Sequence, residues 1–303
     1  MTNPLGDSSG PYRVTRGGGW YNRPSDCRSA SRDSNRYDYS RDSLGFRPLV
    51  QQRPSGVVLD EQSFGYYVVR TYSREKGGFE ILRKGVRVYA DTGFLFEIGG
   101  SSYEEHPPSS FRPIGTDITG DGNPNLLVFE SKGGAHSLGL FHLFEIGDTF
   151  RFIQTLYTRF HNVDFENLDE DEALEFALDD WTFASWRNSS VFWVGPQIIL
   201  KYRGNRYEME PDLMRRPALP HEDLYQMAAE IKALPDWAEE QPPVSLWDDM
   251  LNLIYTGNME QAWDLVQLSW PDGTDGKERF LTDFKAQLME SPFWEDIQRM
   301  NHQ

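Results

Sequence analysis

The residues best placed to do chemistry lie in one short stretch, Asp117-Ile118-Thr119-Gly120-Asp121-Gly122-Asn123-Pro124-Asn125. Alternate positions 117, 119 and 121 point side-chain oxygens at one centre, and Gly122 permits a sharp turn. Asn123 can then offer a backbone carbonyl and Asn125 a side-chain oxygen. Hard oxygen donors at this spacing suit Ca²⁺. Thr119 and Asn125 are neutral where carboxylates would bind harder, so the expected affinity is modest. The competing reading is a metal-free turn in which Asp and Asn side chains bond their own backbone.

A weaker copy follows at Asn167-Leu168-Asp169-Glu170-Asp171-Glu172-Ala173-Leu174-Glu175-Phe176, beginning 50 residues after Asp117. Its first oxygen comes from Asn167, and Glu172 replaces the turn glycine. A side chain there resists positive φ, so weak binding or none is expected. Residues 114–128, and 167–176 in degenerate form, resemble the calcium loops of FG-GAP/VCBS-type repeats. The resemblance implies blade-like β units, each loop followed by an apolar strand.

No nucleophile elbow, phosphate loop, dinucleotide fingerprint, zincin helix or CxxC pair occurs in the chain. The six histidines show no i, i+4 pairing. His136 is placed near the first loop, with a structural histidine as its ordinary role. The carboxylates Glu166, Asp169, Glu170, Asp171 and Glu172 read as a solvated face, and no pair is framed as general acid and base. No catalytic or cofactor-binding residue is assigned on these grounds, and the chain leans away from being an enzyme.

A second motif runs from Tyr12 to Arg47: Arg13-Val14, Arg16-Gly17-Gly18, Trp20, Arg28-Ser29-Ala30, Arg32 and Leu44-Gly45-Phe46-Arg47. It resembles the closing segment of the formylglycine-generating-enzyme (sulfatase-modifying factor) family. In that family the segment ends a much longer domain; here it starts close to Met1, so a truncated copy is expected. The resemblance implies copper-assisted thiol chemistry, with two cysteines shortly after the Gly-Gly motif, because soft sulfur selects Cu(I). The corresponding stretch, Gly18 to Ser25, has no cysteine, and the single Cys27 matches neither ligand position. Cys27 reads as a small packed residue, or as a thiol activated by Arg23 and Arg28. The same fold is related to C-type-lectin-like ligand-binding domains. Tyr21, Asn22, Ser25, Asp26, Ser31, Asp33, Ser34, Asn35, Tyr37, Asp38, Tyr39 and Ser40 have the composition of an adaptable binding surface.

The elements that must position these residues fall into three regions: 1–54, the fragment; 57–215, a β domain; and 220–303, a helical region. A polar Gln-Gln-Arg-Pro-Ser-Gly linker follows the first. Ten strands are predicted in the second: Tyr66–Tyr72, Phe79–Leu82, Val86–Tyr89, Phe94–Ile98, Leu126–Glu130, Leu140–Ile146, Phe150–Tyr157, Glu175–Leu178, Gln197–Tyr202 and Tyr207–Met209. Lys84-Gly85, Gly147-Asp148 and Gly204-Asn205 supply hairpin turns.

The third region switches to helical period. One helix carries Leu224, Met227, Ile231 and Leu234 and ends at Pro235. Another starts in a capping box from Ser245 to Asp248 and stops at Gly257. A third follows from Met259, a fourth carries Phe280 to Leu288, and Ser291-Pro292 opens a short last one. The pair around Gly257 loosely resembles a tetratricopeptide unit; one unit cannot stack, so a helical cap is expected. The fold class is therefore α+β. It comprises a mainly β central domain (hairpin meander, sandwich or partial propeller-like), a C-terminal helical cap and an N-terminal loop-rich fragment of the C-type-lectin-like/formylglycine-enzyme fold.

Charge narrows the partners. The net charge is −17 and aromatic content is 14%, which suits a packed acidic protein. Such a surface repels nucleic acid and anionic membranes. Residues 1–56 carry net +4, leaving −21 on the rest. No apolar run is long enough for a membrane span, and the first residues lack the features of an export signal, so a cytoplasmic location is the default expectation. The function expected is a non-enzymatic binding or structural protein with a calcium-stabilised β domain and a protein or small-ligand partner. The alternatives are a formylglycine-enzyme-like oxidoreductase remnant without its cysteine pair, and a lectin-like variable ligand-binding module.

Overall fold

The structure is a computed structural model that describes residues 12–15, 33–36, 54, 56–73, 77–99, 111–133, 138–159, 163–184, 186–188, 195–235, 237 and 242–302. The chain divides into two compact units, Met1–Gln51 and Gln52–Gln303. In the first, β1 (Tyr12–Thr15) pairs antiparallel with β2 (Asp33–Arg36), Tyr12 opposite Arg36. Cys27, Gly18 to Ser25 and the remaining Tyr/Ser/Asn/Asp positions of the binding-surface reading lie outside the described residues, as does His136.

The second unit holds three four-stranded antiparallel meanders. The first sheet is β3 (Val58–Phe64), β4 (Tyr67–Tyr72), β5 (Gly78–Arg83) and β6 (Val86–Thr92). The second is β7 (Leu95–Ile98), β8 (Asn125–Ser131), β9 (Leu138–Ile146) and β10 (Phe150–Arg159). The third is β11 (Val163–Glu166), β12 (Glu175–Asp179), β13 (Gln197–Arg203) and β14 (Arg206–Met209). All ten predicted strands are present within a few residues of their expected ends. β3 and β11 have no counterpart among the predicted strands. Six of the seven β3 residues are exposed, so it lacks the apolar alternation that marks a half-buried strand.

Strand β8 explains the layering. All seven of its residues are buried. Leu126 and Val128 enter a core shared with Tyr67, Val69, Phe79 and Ile81 of the first sheet. Leu127 and Phe129 enter a different core, with Phe165, Phe176 and Ile198 of the third. Period-two alternation sends successive side chains to opposite faces, so a continuous apolar run belongs in a middle layer. A polar link joins the second and third sheets beside a bulge at Phe152/Gln154. There Gln154 Oε1 accepts the Tyr207 N–H at 2.7 Å, and Arg151 donates to the Tyr202 hydroxyl at 2.9 Å.

Helices α1 (Pro211–Met214), α2 (His221–Lys232), α3 (Val244–Tyr255), α4 (Met259–Ser269), α5 (Lys277–Leu288) and α6 (Trp294–Asn301) complete the unit. Their apolar stripes join the core of the third sheet: Trp247, Phe280 and Phe284 share one cluster with Phe176 and Phe183. Each such side chain contributes about 1.5–3 kcal/mol on burial. The helical region is thus a cap on the β layers. The expected capping box is absent. Pro243 is the N-cap of α3, with no side-chain bond, and Ser245 Oγ finds no partner. The helix begins one residue before Ser245, so that side chain lies inside the first turn and not at the cap. Gly257 follows the C-cap of α3 at φ 83°. No helix among the described residues is long and apolar enough to cross a membrane.

Candidate functional site: two acidic loops in contact

The two loops occupy the same place in neighbouring sheets. One joins the first strand of the second sheet to its second strand; the other does so in the third sheet. Asn125 opens β8 and Glu175 opens β12. Both residues are buried and both cap their own loop. Asn125 Oδ1 accepts the Ile118 and Thr119 N–H groups at 2.7 and 3.0 Å. Glu175 Oε2 accepts the Leu168 N–H at 2.7 Å.

In the first loop the Asp117 carboxylate is held on both sides. Oδ1 accepts the Gly120 N–H and Oδ2 the Gly122 N–H, each at 2.8 Å. Asp121 Oδ1 accepts the Asn123 N–H at 3.0 Å. Thr119 Oγ1 lies 3.5 Å from Asp117 Oδ1 and 3.2 Å from Asn125 Oδ1. Asp117 is half-buried, Thr119 and Asn125 are buried, and Asp121 and Asn123 are exposed. The five candidate residues therefore do share one loop, but their roles differ. Asn125 Oδ1 is engaged by two amides and a hydroxyl. Each Asp117 oxygen accepts only one amide, which leaves a lone pair for a cation. Among the described residues no lysine or arginine pairs with Asp117 or Asp121. Asp117, Asp121 and Thr119 offer two carboxylates and a hydroxyl, oxygen donors of the kind a hard cation takes.

In the second loop the cation is a side chain. Lys201 of β13 is buried, and its Nζ donates to Asp169 Oδ2 and, at 2.6 Å, to Asp171 Oδ2. Glu175 Oε1 lies 3.6 Å away. Oxygens of Asp169, Asp171 and Glu175 all fall within 4.8 Å of one another, a grouping able to hold a metal ion. Burial works hardest on the Lys201 ammonium and would lower its pKa, but bonds to Asp169 and Asp171 and the Glu175 charge together raise it above the usual lysine value. The Lys201 hydrogen bond in turn lowers the pKa of Asp171.

Glu172, which replaces the turn glycine, avoids positive φ as a residue with a side chain should. The left-handed residue is Glu170, at φ 64°, not Glu172. Counted from the loop start, Glu170 matches Gly120, at φ 67°. The second loop thus keeps the first left-handed position at a cost of about 1–2 kcal/mol for a residue with a Cβ and gives up the second.

The loops touch. The Ile118 carbonyl accepts the Leu174 N–H at 2.9 Å. The buried Tyr207 hydroxyl bridges the same two segments, donating toward the Leu174 carbonyl at 2.9 Å and lying 3.3 Å from that of Ile118. Burial, then the charges of Glu175 and Asp117, push the Tyr207 phenol pKa well above its usual value. A Cβ on Gly120 would sit 2.3 Å from the Ala173 nitrogen, so this contact, beyond the positive φ, demands glycine.

A second polar cluster has no signature in the sequence. His142 Nε2 lies 3.1 Å from Glu130 Oε2, and its Nδ1 lies 3.0 Å from Thr155 Oγ1. Lys132 donates to the other Glu130 oxygen at 2.5 Å. Strands β8, β9 and β10 bring these residues to one face beside Phe79 and Phe96. Glu130 and His142 are buried, and the chain of bonds satisfies both while tying three strands together. In sequence, 12 residues separate Glu130 from His142 and 13 separate His142 from Thr155; only strand pairing unites them.

Comparison with family models, with curated proteins and with solved structures finds no match to this chain. The site must be read from its own chemistry.

Proposed function

We propose that this chain is a non-enzymatic binding or structural protein whose β region is stabilised by Ca²⁺ in its first acidic loop. Asp117 and Asp121 supply the charge. The Thr119 hydroxyl and the Asn123 carbonyl supply neutral oxygens, and Asn125 holds the loop closed. The observation that carries this reading is the Asp117 carboxylate, fixed by two backbone amides with no lysine or arginine partner among the described residues. Amides orient the group but leave its charge uncompensated, and a divalent cation would compensate it.

In this reading the three meanders are propeller-like blades, and the loop pair is a clasp between two of them. The partner is a protein or a small ligand, and the first unit offers its Tyr/Ser/Asn/Asp-rich stretch as a recognition surface rather than a copper centre. That last point rests on the absence of cysteine from Gly18 to Ser25.

The test is thermal unfolding with and without millimolar Ca²⁺, in the full chain and in Asp121→Ala. Calcium should raise the Tm of the parent by several degrees and leave the variant unmoved. An unchanged parent Tm, with no heat of binding by calorimetry, refutes the reading.

A further inference from the structure

Three carboxylates meet at one point in the second loop: Asp169 and Asp171 from the loop itself and Glu175 from the head of β12. Glu175 is fully buried. Its Oε2 is satisfied by the Leu168 amide. Its Oε1 is sealed from solvent and accepts no hydrogen bond, yet it faces the Lys201 ammonium at 3.6 Å. A buried carboxylate oxygen without a donor is costly unless a cation stands in front of it.

That cation enters by register. Phe176 pairs with Leu200 across β12 and β13, so Lys201 falls opposite Glu175, one step further toward the loop. Its ammonium then reaches Asp169 and Asp171 as well. At the matching place in the first loop, Asp117 and Asp121 have no such neighbour among the described residues.

We propose that Lys201 is the resident cation of the second loop: its ammonium holds the place of a divalent ion among Asp169, Asp171 and Glu175, so this loop is metal-independent in the native chain and becomes a Ca²⁺ site when the ammonium is removed. Charge and ligand type both favour the exchange. With lysine the cluster of three carboxylates is left at −2, and with Ca²⁺ at −1. Carboxylate oxygens are the ligands calcium prefers. Two cations cannot share the space, because an ammonium already within hydrogen-bond reach of two of the ligands would face the ion at a few ångströms. The native loop is therefore set without metal, and the Leu174–Ile118 bond joins it to the first loop.

This inference goes beyond the function proposed above and does not depend on it. The experiment uses the full chain with Asp121→Ala, which silences the first loop, and adds Lys201→Met. Tm is measured in EDTA and in millimolar CaCl₂, and stoichiometry by calorimetry. Asp121→Ala alone should ignore calcium. Asp121→Ala/Lys201→Met should melt several degrees lower in EDTA, recover in calcium and bind one ion. Adding Asp171→Asn should abolish that binding.

The proposal is overturned if the double variant folds but binds no calcium. It is overturned equally if the double variant fails to fold even with calcium present, since a seated ion would replace the lost charge. A calcium response in Asp121→Ala that Asp171→Asn removes also overturns it, because the native loop would then take metal beside the lysine. A parent chain insensitive to calcium sinks the first-loop reading and leaves this one standing, so the two failures are distinguishable.

Discussion

The Tyr255 hydroxyl donates to Asp180 Oδ2 at 2.7 Å. Tyr255 ends α3 and Asp180 follows β12, so this buried bond fastens the helical cap to the third sheet. Asp180 accepts three further bonds: Ser291 Oγ at 2.5 Å on Oδ2, and the Thr182 N–H and hydroxyl at 2.9 and 2.5 Å on Oδ1. Both carboxylate oxygens are thus satisfied by hydrogen bonds. Burial, then the Asp180 charge, push the Tyr255 pKa well above its ordinary value, so the phenol stays protonated and the bond persists at any moderate pH.

Asp180→Ala should therefore be among the most damaging single changes. It leaves two buried hydroxyls without an acceptor, a loss of roughly 3 kcal/mol or more. Tyr255→Phe removes one of four bonds to a charged group and should cost about 1.5–3 kcal/mol. Urea unfolding monitored by tryptophan fluorescence measures both. Equal and negligible effects would mean the cap is held by apolar packing alone.

Gly120→Ala and Gly122→Ala separate two reasons for glycine. Both positions have positive φ, at 67° and 82°. Only Gly120 faces a backbone clash, whereas a Cβ on Gly122 meets nothing within 4 Å. The Gly122 variant should lose about 1–2 kcal/mol from backbone strain, and the Gly120 variant clearly more. Comparable losses in denaturant midpoints would show that the loops do not press together as described.

Tyr207→Phe tests the bridge between the loops. The ring stays buried while the hydroxyl is removed, and the Leu174 carbonyl loses a donor. About 1–2 kcal/mol of stability should go. If the first loop takes calcium, its affinity should fall as well, since the bridge anchors Ile118. An unchanged calcium midpoint alongside lower stability would uncouple the clasp from the ion.

Asp249 of α3 predicts a stabilising substitution. Burial, then the neighbouring charge of Asp248, push its pKa up to about 6. A carboxyl whose folded pKa exceeds its unfolded value binds more protons when folded, so stability falls as pH rises between those values and stays lower above the upper one. Asp249→Asn should thus raise the Tm at pH 7 but not near pH 4. The gain is roughly 1 kcal/mol once solvent screening of this half-exposed group is allowed for. An equal shift at both pH values would point to packing instead.

The Lys201 cluster gives the opposite dependence at each end of the pH scale. Asp171 has a lowered folded pKa, so its contribution is present above the unfolded carboxylate value and fades as pH falls below it. Lys201 has a raised one, so its contribution is present below the ordinary lysine value and is lost in more alkaline solution. Lys201→Met should flatten the alkaline decline in a plot of Tm against pH. A parallel profile would place the decline elsewhere.

Much of this was legible in the chain. The apolar run Leu126–Phe129 announces a buried strand, and the Leu224/Met227/Ile231 spacing announces a helix, because periodicity is a local property set by backbone geometry. The oxygen-rich order from Asp117 to Asn125 likewise marks a tight loop, because Asp and Asn side chains bond nearby backbone amides. The exposed β3 was not legible, since it takes its structure from bonds to β4 rather than from its own pattern.

What only the tertiary structure decided is which partner each charge meets. In Gln197–Arg203, Lys201 reads as an ordinary strand lysine. Pairing of β12 with β13 converts it into the counter-ion of a loop 30 residues earlier, and layering of the sheets sets that loop against Gly120. Side-chain types and local spacing are written along the chain, whereas electrostatic compensation depends on distance in space, and that distance exists only after the strands have chosen their neighbours.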